Sequence, residues 1–137
     1  MSYSSFKLKS GSSGTSGSSG SDGYNAANTF LYKYSTTTSA VDPGDGYLRL
    51  NNATMGSATA LYIANTDGST PANNLDSFLA SLSSYGSAAR RGYIKIQQSS
   101  NSSNFYLFEF STVTQQAGGA GGWNSIVISN LVSGTNF

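Results

Sequence analysis

The stretch "NFYLFEFS" (residues 104–111) alternates with a period of two, yet neither alternating set is polar throughout. Tyr106, Phe108 and Phe110 fall on one face, and Phe105, Leu107 and Glu109 fall on the other. Period two is the mark of a β-strand. An antiparallel sheet with one solvated face would show a polar residue at every second position. This strand is therefore either central in a sandwich or has its second face against a neighbouring subunit.

The flanking sequence repeats the pattern. "GYIKIQQ" (92–98) sets Ile94 and Ile96 against Tyr93, Lys95 and Gln97. "WNSIVISNLV" (123–132) sets Ile126 and Ile128 against Val127 and Ser129, after the glycine-rich turn "AGGAGG" (117–122). Upstream, "NTFLYKYST" (28–36) puts Phe30, Tyr32 and Tyr34 on one face and Leu31 and Lys33 on the other. "DPGDG" (42–46) is a turn, because proline presets φ and glycine accepts left-handed geometry. "GYLRLN" (46–51) places Leu48 and Leu50 opposite Tyr47 and Arg49, and "ATALYIAN" (58–65) sets Leu61 and Ile63 inward and Tyr62 outward, or the two faces exchanged. One segment departs from period two. Leu75, Phe78, Leu79 and Leu82 follow helical spacing, with Asn73 or Asn74 as cap, Asp76 in the first turn and Gly86 at the end. The expected class is mainly β: a β-sandwich or jelly-roll-like domain with one short helix, spanning residues 24–137.

Two segments precede that domain. Residues 1–10 contain "SFKLK", in which Phe6 and Leu8 alternate with Lys7 and Lys9. So short a strand does not fold alone, and it reads as an anchoring arm that orders by adding to another protein. Residues 11–23, "GSSGTSGSSGSDG", carry glycine at Gly11, Gly14, Gly17, Gly20 and Gly23. A strict third-residue glycine suits three chains packed about one axis. A Gly/Ser coil is the competing reading, and the absence of proline from the segment leaves the two open.

Composition narrows the function. Only 9% of the 137 residues are charged, the net charge is +1, and there is no cysteine or histidine. Thiol nucleophiles, disulfide scaffolds, histidine triads and most zinc sites are excluded. The charge balance gives no footprint for nucleic acid, and Arg90-Arg91 reads as solvated turn residues or a local ion pair. No apolar run approaches the ~20 residues of a membrane span, and residues 1–10 lack a signal peptide's apolar region. Asn52-Ala53-Thr54 and Asn101-Ser102-Ser103 match the glycosylation pattern by chance in Asn/Ser/Thr-rich sequence.

From residue 31, "LYKYSTTTSAVDPGDGYLRLNNATMGSATALYIANTDG", with the helix, "GYIKIQ" and "NFYLFEFS" that follow, resembles a small β-domain recurrent in bacteriophage tail fibres and related virion proteins. The resemblance covers roughly residues 29–137. It implies a structural role on the virion, assembly as a homotrimer and a Gly-x-y segment beside the domain. Family members lead from the "VSG" region into one further strand, whereas this sequence stops at Phe137, which implies an unpaired sheet edge.

The acidic residues read as structural. Asp42, Asp45 and Asp67 lie in turn signals, Asp76 at a helix start, and Glu109 alone within a strand. No nucleophile and base are paired, so the expectation is no enzyme, no metal and no cofactor. The remaining candidate chemistry is stacking on sugars by Tyr47, Tyr62 and Trp123, which would make the domain a host-attachment module for surface polysaccharide. Trp123 follows a loop of small residues and is either a plug closing one end of the domain or an exposed platform. The reading is a phage virion protein (tail fibre, spike or head decoration subunit), with the arm contacting other virion proteins.

Overall fold

The apolar row of each alternating segment lies on one side of a single sheet. The computed structural model describes residues 3–10, 27–84 and 86–137; for residues 3–10, 27 and 28 the backbone alone is described. The period-three glycines of residues 11–23 lie outside the described residues. Seven strands follow in chain order: β1 (Tyr3–Ser10), β2 (Ala27–Ser35), β3 (Tyr47–Leu50), β4 (Ala60–Ala64), β5 (Gly92–Gln98), β6 (Asn101–Ala117) and β7 (Trp123–Val132). The short helix α1 (Asp76–Ser81) sits between β4 and β5 and ends in a 3₁₀ turn, Leu82–Ser84. The chain is mainly β with one short helix, as its periodicity indicates.

Six strands hydrogen-bond in the order β2-β3-β4-β7-β6-β5 into one curled sheet, and β1 lies between β2 and β5, closing a barrel. All pairs are antiparallel except β2 with β3. The two inner faces expected of a sandwich are here opposite walls of one sheet that curls until its ends meet. No sheet edge stays unpaired at the junction, so the open edge inferred from the sequence's stop at Phe137 is not found among the described strands.

The arm is also placed differently from expectation. Strand addition does occur, but to the chain's own sheet: Phe6 is in register with Phe30 and Ile96, and Leu8 with Asn28 and Ile94. The physical reason is that β2 and β5 would otherwise each present a row of unpaired backbone groups.

Inside the barrel stand Tyr32, Leu48, Leu50, Leu61, Ile63, Ile94, Ile96, Phe108, Phe110 and Ile126, all fully buried. Each belongs to one of the alternating rows read from the sequence. At one end α1 buries Leu79, the following turn buries Leu82, and Phe78 meets Phe30 edge-to-face at 5.1 Å. The N-cap residue is Leu75, which makes no side-chain cap bond, a correction to the expected Asn73 or Asn74; Asn74, one residue earlier, accepts at Oδ1 from the Asp76 N–H at 3.0 Å. At the other end Met55 is buried, and the Phe137 ring lies 5.6 Å from Tyr34 and 6.1 Å from Tyr106. Asn136 Oδ1 there accepts from the Met55 N–H and the Tyr106 hydroxyl.

Geometry demands glycine at several positions, among them Gly46 and Gly122. Gly46 has φ +83° at the entry to β3, and its carbonyl accepts from the Lys33 N–H. At Gly122 a Cβ would collide with the Ala117 carbonyl across the β6–β7 turn. Among the described residues no helix is long and apolar enough to cross a membrane.

Candidate binding groove and the acidic side chains

The Pro-Gly turn that starts β3 and the loop after β4 come together on the barrel surface. Gly46 N–H donates to the Thr66 carbonyl, and Gly68 N–H donates to the Leu31 carbonyl. Between them is an open groove of about 340 Å³ lined by Lys33, Asp45, Tyr47, Thr66, Asp67 and Ser69. That volume is at the small end of the range for ligand sites. Lys33 Nζ stands 5.7 Å from the centre of the Tyr47 ring. An aromatic face, an ammonium and a carboxylate thus border one depression.

Asp67 forms the groove's structural wall. One carboxylate oxygen accepts from the N–H groups of Ser69 and Asn73, and the other from Ser69 Oγ and Asn73 Nδ2. Burial pulls its pKa upward, but these hydrogen bonds outweigh burial and hold the carboxyl below its ordinary value. Four donors converge on it, so Asp67 organises the loop in its ionised form.

The other acids also have structural partners. Asp42 Oδ1 accepts from the Gly44 N–H at 2.8 Å, the expected turn chemistry. Asp76 Oδ1 accepts from Asn65 Nδ2 at 2.9 Å and from Gln115 Nε2 at 2.7 Å. Glu109 pairs with Arg90 at 2.7 Å, so the basic doublet contributes a local ion pair. Arg91 Nε donates to the Ser111 carbonyl. Asp45 alone among these carboxylates borders the groove without a structural bond that defines its place.

The three candidate sugar-stacking residues do not form one platform. Tyr62 and Trp123 meet edge-to-face at 5.9 Å and 82° on the outer side of β4 and β7. Tyr62 is only 7% exposed, so it has little ring surface to offer a sugar, a correction to its place among the candidates. Trp123 is half-buried on the outer face. It is not an end plug, because the barrel ends are filled by α1 and by Phe137. Tyr47 stands apart from this pair, half-buried beside Lys33 in the groove.

Sequence reading missed the polar hub that joins the loops. Asn65 is fully buried; its Nδ2 donates to Asp76 and to the Gly119 carbonyl, and its Oδ1 accepts from Asn124 Nδ2. Two asparagines in strand-like sequence otherwise rich in apolar residues were the available signal. Arg49 was missed as well: it is buried on the outer face of β3, where Nη1 donates to the carbonyl and hydroxyl of Ser39. Its neighbour in the sheet is Tyr62. The loop that carries the chain from β2 to the parallel strand β3 covers it.

A search of known protein families, of curated proteins and of solved structures finds no match to this chain.

Proposed function

We propose that this chain is a structural subunit of a bacteriophage virion, a fibre, spike or head decoration protein, assembled as a homotrimer that displays its barrel at the particle surface. The virion part of this reading comes from the sequence resemblance set out above. The observation that carries the assembly is the outer face of β5, β6 and β7. Val127, Leu131 and Val132 are 46%, 49% and 44% exposed, with half-buried Phe105 and Leu107 on the strand beside them. A single-layer barrel has no second sheet to cover these side chains, and exposed apolar surface favours association, although Ser129 and the Glu109–Arg90 pair interrupt it here.

The test is light scattering on the full chain, with Val127→Glu and Leu131→Glu beside it. Three times the chain mass for the parent and a lighter species for the variants support the trimer. A parent that stays monomeric at micromolar concentration overturns it. For the virion, an antibody to the barrel must label particles carrying this chain and will also distinguish tail from head; unlabelled particles end the proposal.

The groove at Tyr47 favours a second reading, a module that binds host-surface polysaccharide. An amphipathic ring flanked by Lys33 and Asp45 can stack on a sugar and hydrogen-bond its hydroxyls. A glycan array separates the readings. Binding that disappears in Tyr47→Ala, with assembly and thermal midpoint unchanged, supports the module; a blank array rejects it.

A further inference from the structure

We propose that Arg49 is an anion subsite that takes the carboxylate of a uronic acid unit. The inference rests on the polysaccharide reading and deepens it, by making the bound polymer an acidic one.

Arg49 is a buried cation without a counter-ion. It is 8% exposed, and among the described residues no carboxylate pairs with it. Both of its hydrogen bonds leave from Nη1, to the Ser39 carbonyl at 3.3 Å and to the Ser39 hydroxyl at 3.2 Å. These are long bonds to neutral acceptors. Nε is buried and has no partner. A guanidinium held in this way is costly unless its charge and its donors are met. Nε and Nη2 form the edge that takes a carboxylate through two parallel bonds, and on that edge Nε is the donor left over.

The surroundings suit a sugar that carries one negative charge. Sheet register sets Arg49 in an outer-face row with Ser35, Tyr62 and Ser125, hydroxyl-bearing residues with no acid among them. Tyr47 lies two residues earlier on the same face of β3, ~7 Å along the strand, so the groove at Tyr47 leads toward Arg49. A ring stacked on Tyr47 and a carboxylate on Arg49 fit one chain of linked sugars. One guanidinium balances one charge, whereas Asp45 and Asp67 in the groove oppose a doubly charged phosphate. Residues 36–42, all exposed, cover Arg49, and Ser39 is the residue of that cover which it holds. Entry requires the cover to lift. The stronger, charge-assisted bonds to a carboxylate offset the long ones to Ser39.

The chain has a single tryptophan, and Trp123 packs against Tyr62, the register neighbour of Arg49, so its fluorescence reports on the site. The full chain is titrated with oligomers of galacturonate, glucuronate and mannuronate, and with their neutral hexose counterparts. At least one uronate oligomer should bind about tenfold or more tighter than its neutral counterpart. The Nε–H nuclear magnetic resonance signal of Arg49 should shift with that uronate alone. Arg49→Lys keeps the charge but not the fork, and Arg49→Met removes both; each should abolish the preference, with the thermal midpoint measured alongside. The Arg49 signal of the parent chain decides the matter should both variants unfold. Acidic and neutral oligomers bound equally overturn the subsite and leave the polysaccharide reading standing. A preference that survives Arg49→Met, or an Arg49 signal that does not move, places the anion elsewhere and also overturns the subsite. Binding of neither class overturns both.

Discussion

Asp67 receives four hydrogen bonds within one loop, from Ser69 and Asn73, and its carboxyl titrates below the ordinary value because those bonds favour the charged form. A depressed folded pKa adds stability that is present above the unfolded value of about 3.9 and lost as pH falls through the folded value. Acid denaturation should therefore steepen below about pH 4, and Asp67→Asn should flatten that slope in urea titrations made at several pH values. Asp67→Ala leaves four donors without their acceptor and should cost roughly 2–3 kcal/mol at neutral pH. The alkaline side is set by tyrosine. Burial, helped by nearby Tyr106, pushes the Tyr34 phenol up to about 12, and burial raises Tyr32 and Tyr106 as well. A raised folded pKa gives stability that is complete below the unfolded value of about 10 and lost as pH rises through the folded one. Absorbance titration near 295 nm should show these phenols ionising late, together with loss of β-sheet circular dichroism.

At the scale of elements, α1 acts as a stopper for one barrel mouth. Leu79 is fully buried there, so Leu79→Ala should destabilise by about 2–5 kcal/mol in chemical unfolding. Asn65 ties that helix to the β6–β7 turn through Asp76 and the Gly119 carbonyl. Asn65→Leu would bury an apolar group against those partners and orphan them, at roughly 2–4 kcal/mol by the same measurement. Both elements show how far periodicity carries. The helix was legible because four apolar residues kept helical spacing, and the strands because of their period of two; which row of β4 and β6 faces inward was not, because both rows of each carry apolar residues. The extent of β6, which runs on to Ala117, was not, because "STVTQQA" (111–117) has no apolar alternation and is ordered by pairing with β7 across bulges. The parallel placement of β3 beside β2 was equally hidden, since no local signal records whether the loop between two consecutive strands will bring the second back parallel or antiparallel. Of the candidate site, Tyr47 was found from its type, but the groove around it depends on Thr66 to Ser69 arriving from another loop.

For the molecule as a whole, charge has little influence. The charged fraction is 9%, and Arg90–Glu109 is the ion pair found among the described residues, with the arginine largely exposed. An exposed pair contributes ~0–1 kcal/mol. The thermal midpoint should therefore move by no more than about 4–8 °C between low and high salt, checked by calorimetry, and the proposed assembly through an apolar face should resist salt equally. The curled sheet was legible as a class. Its closure was not, because the alternation of "SFKLK" is too short to say which molecule it will pair with.

The placement of β1 between β2 and β5 also bears on biosynthesis. The segment translated first cannot be seated until the wall ending at Gln98 has left the ribosome. Throughout that interval the earliest part of each nascent polypeptide has β2 alone to pair with, as a two-stranded hairpin that is marginal by itself.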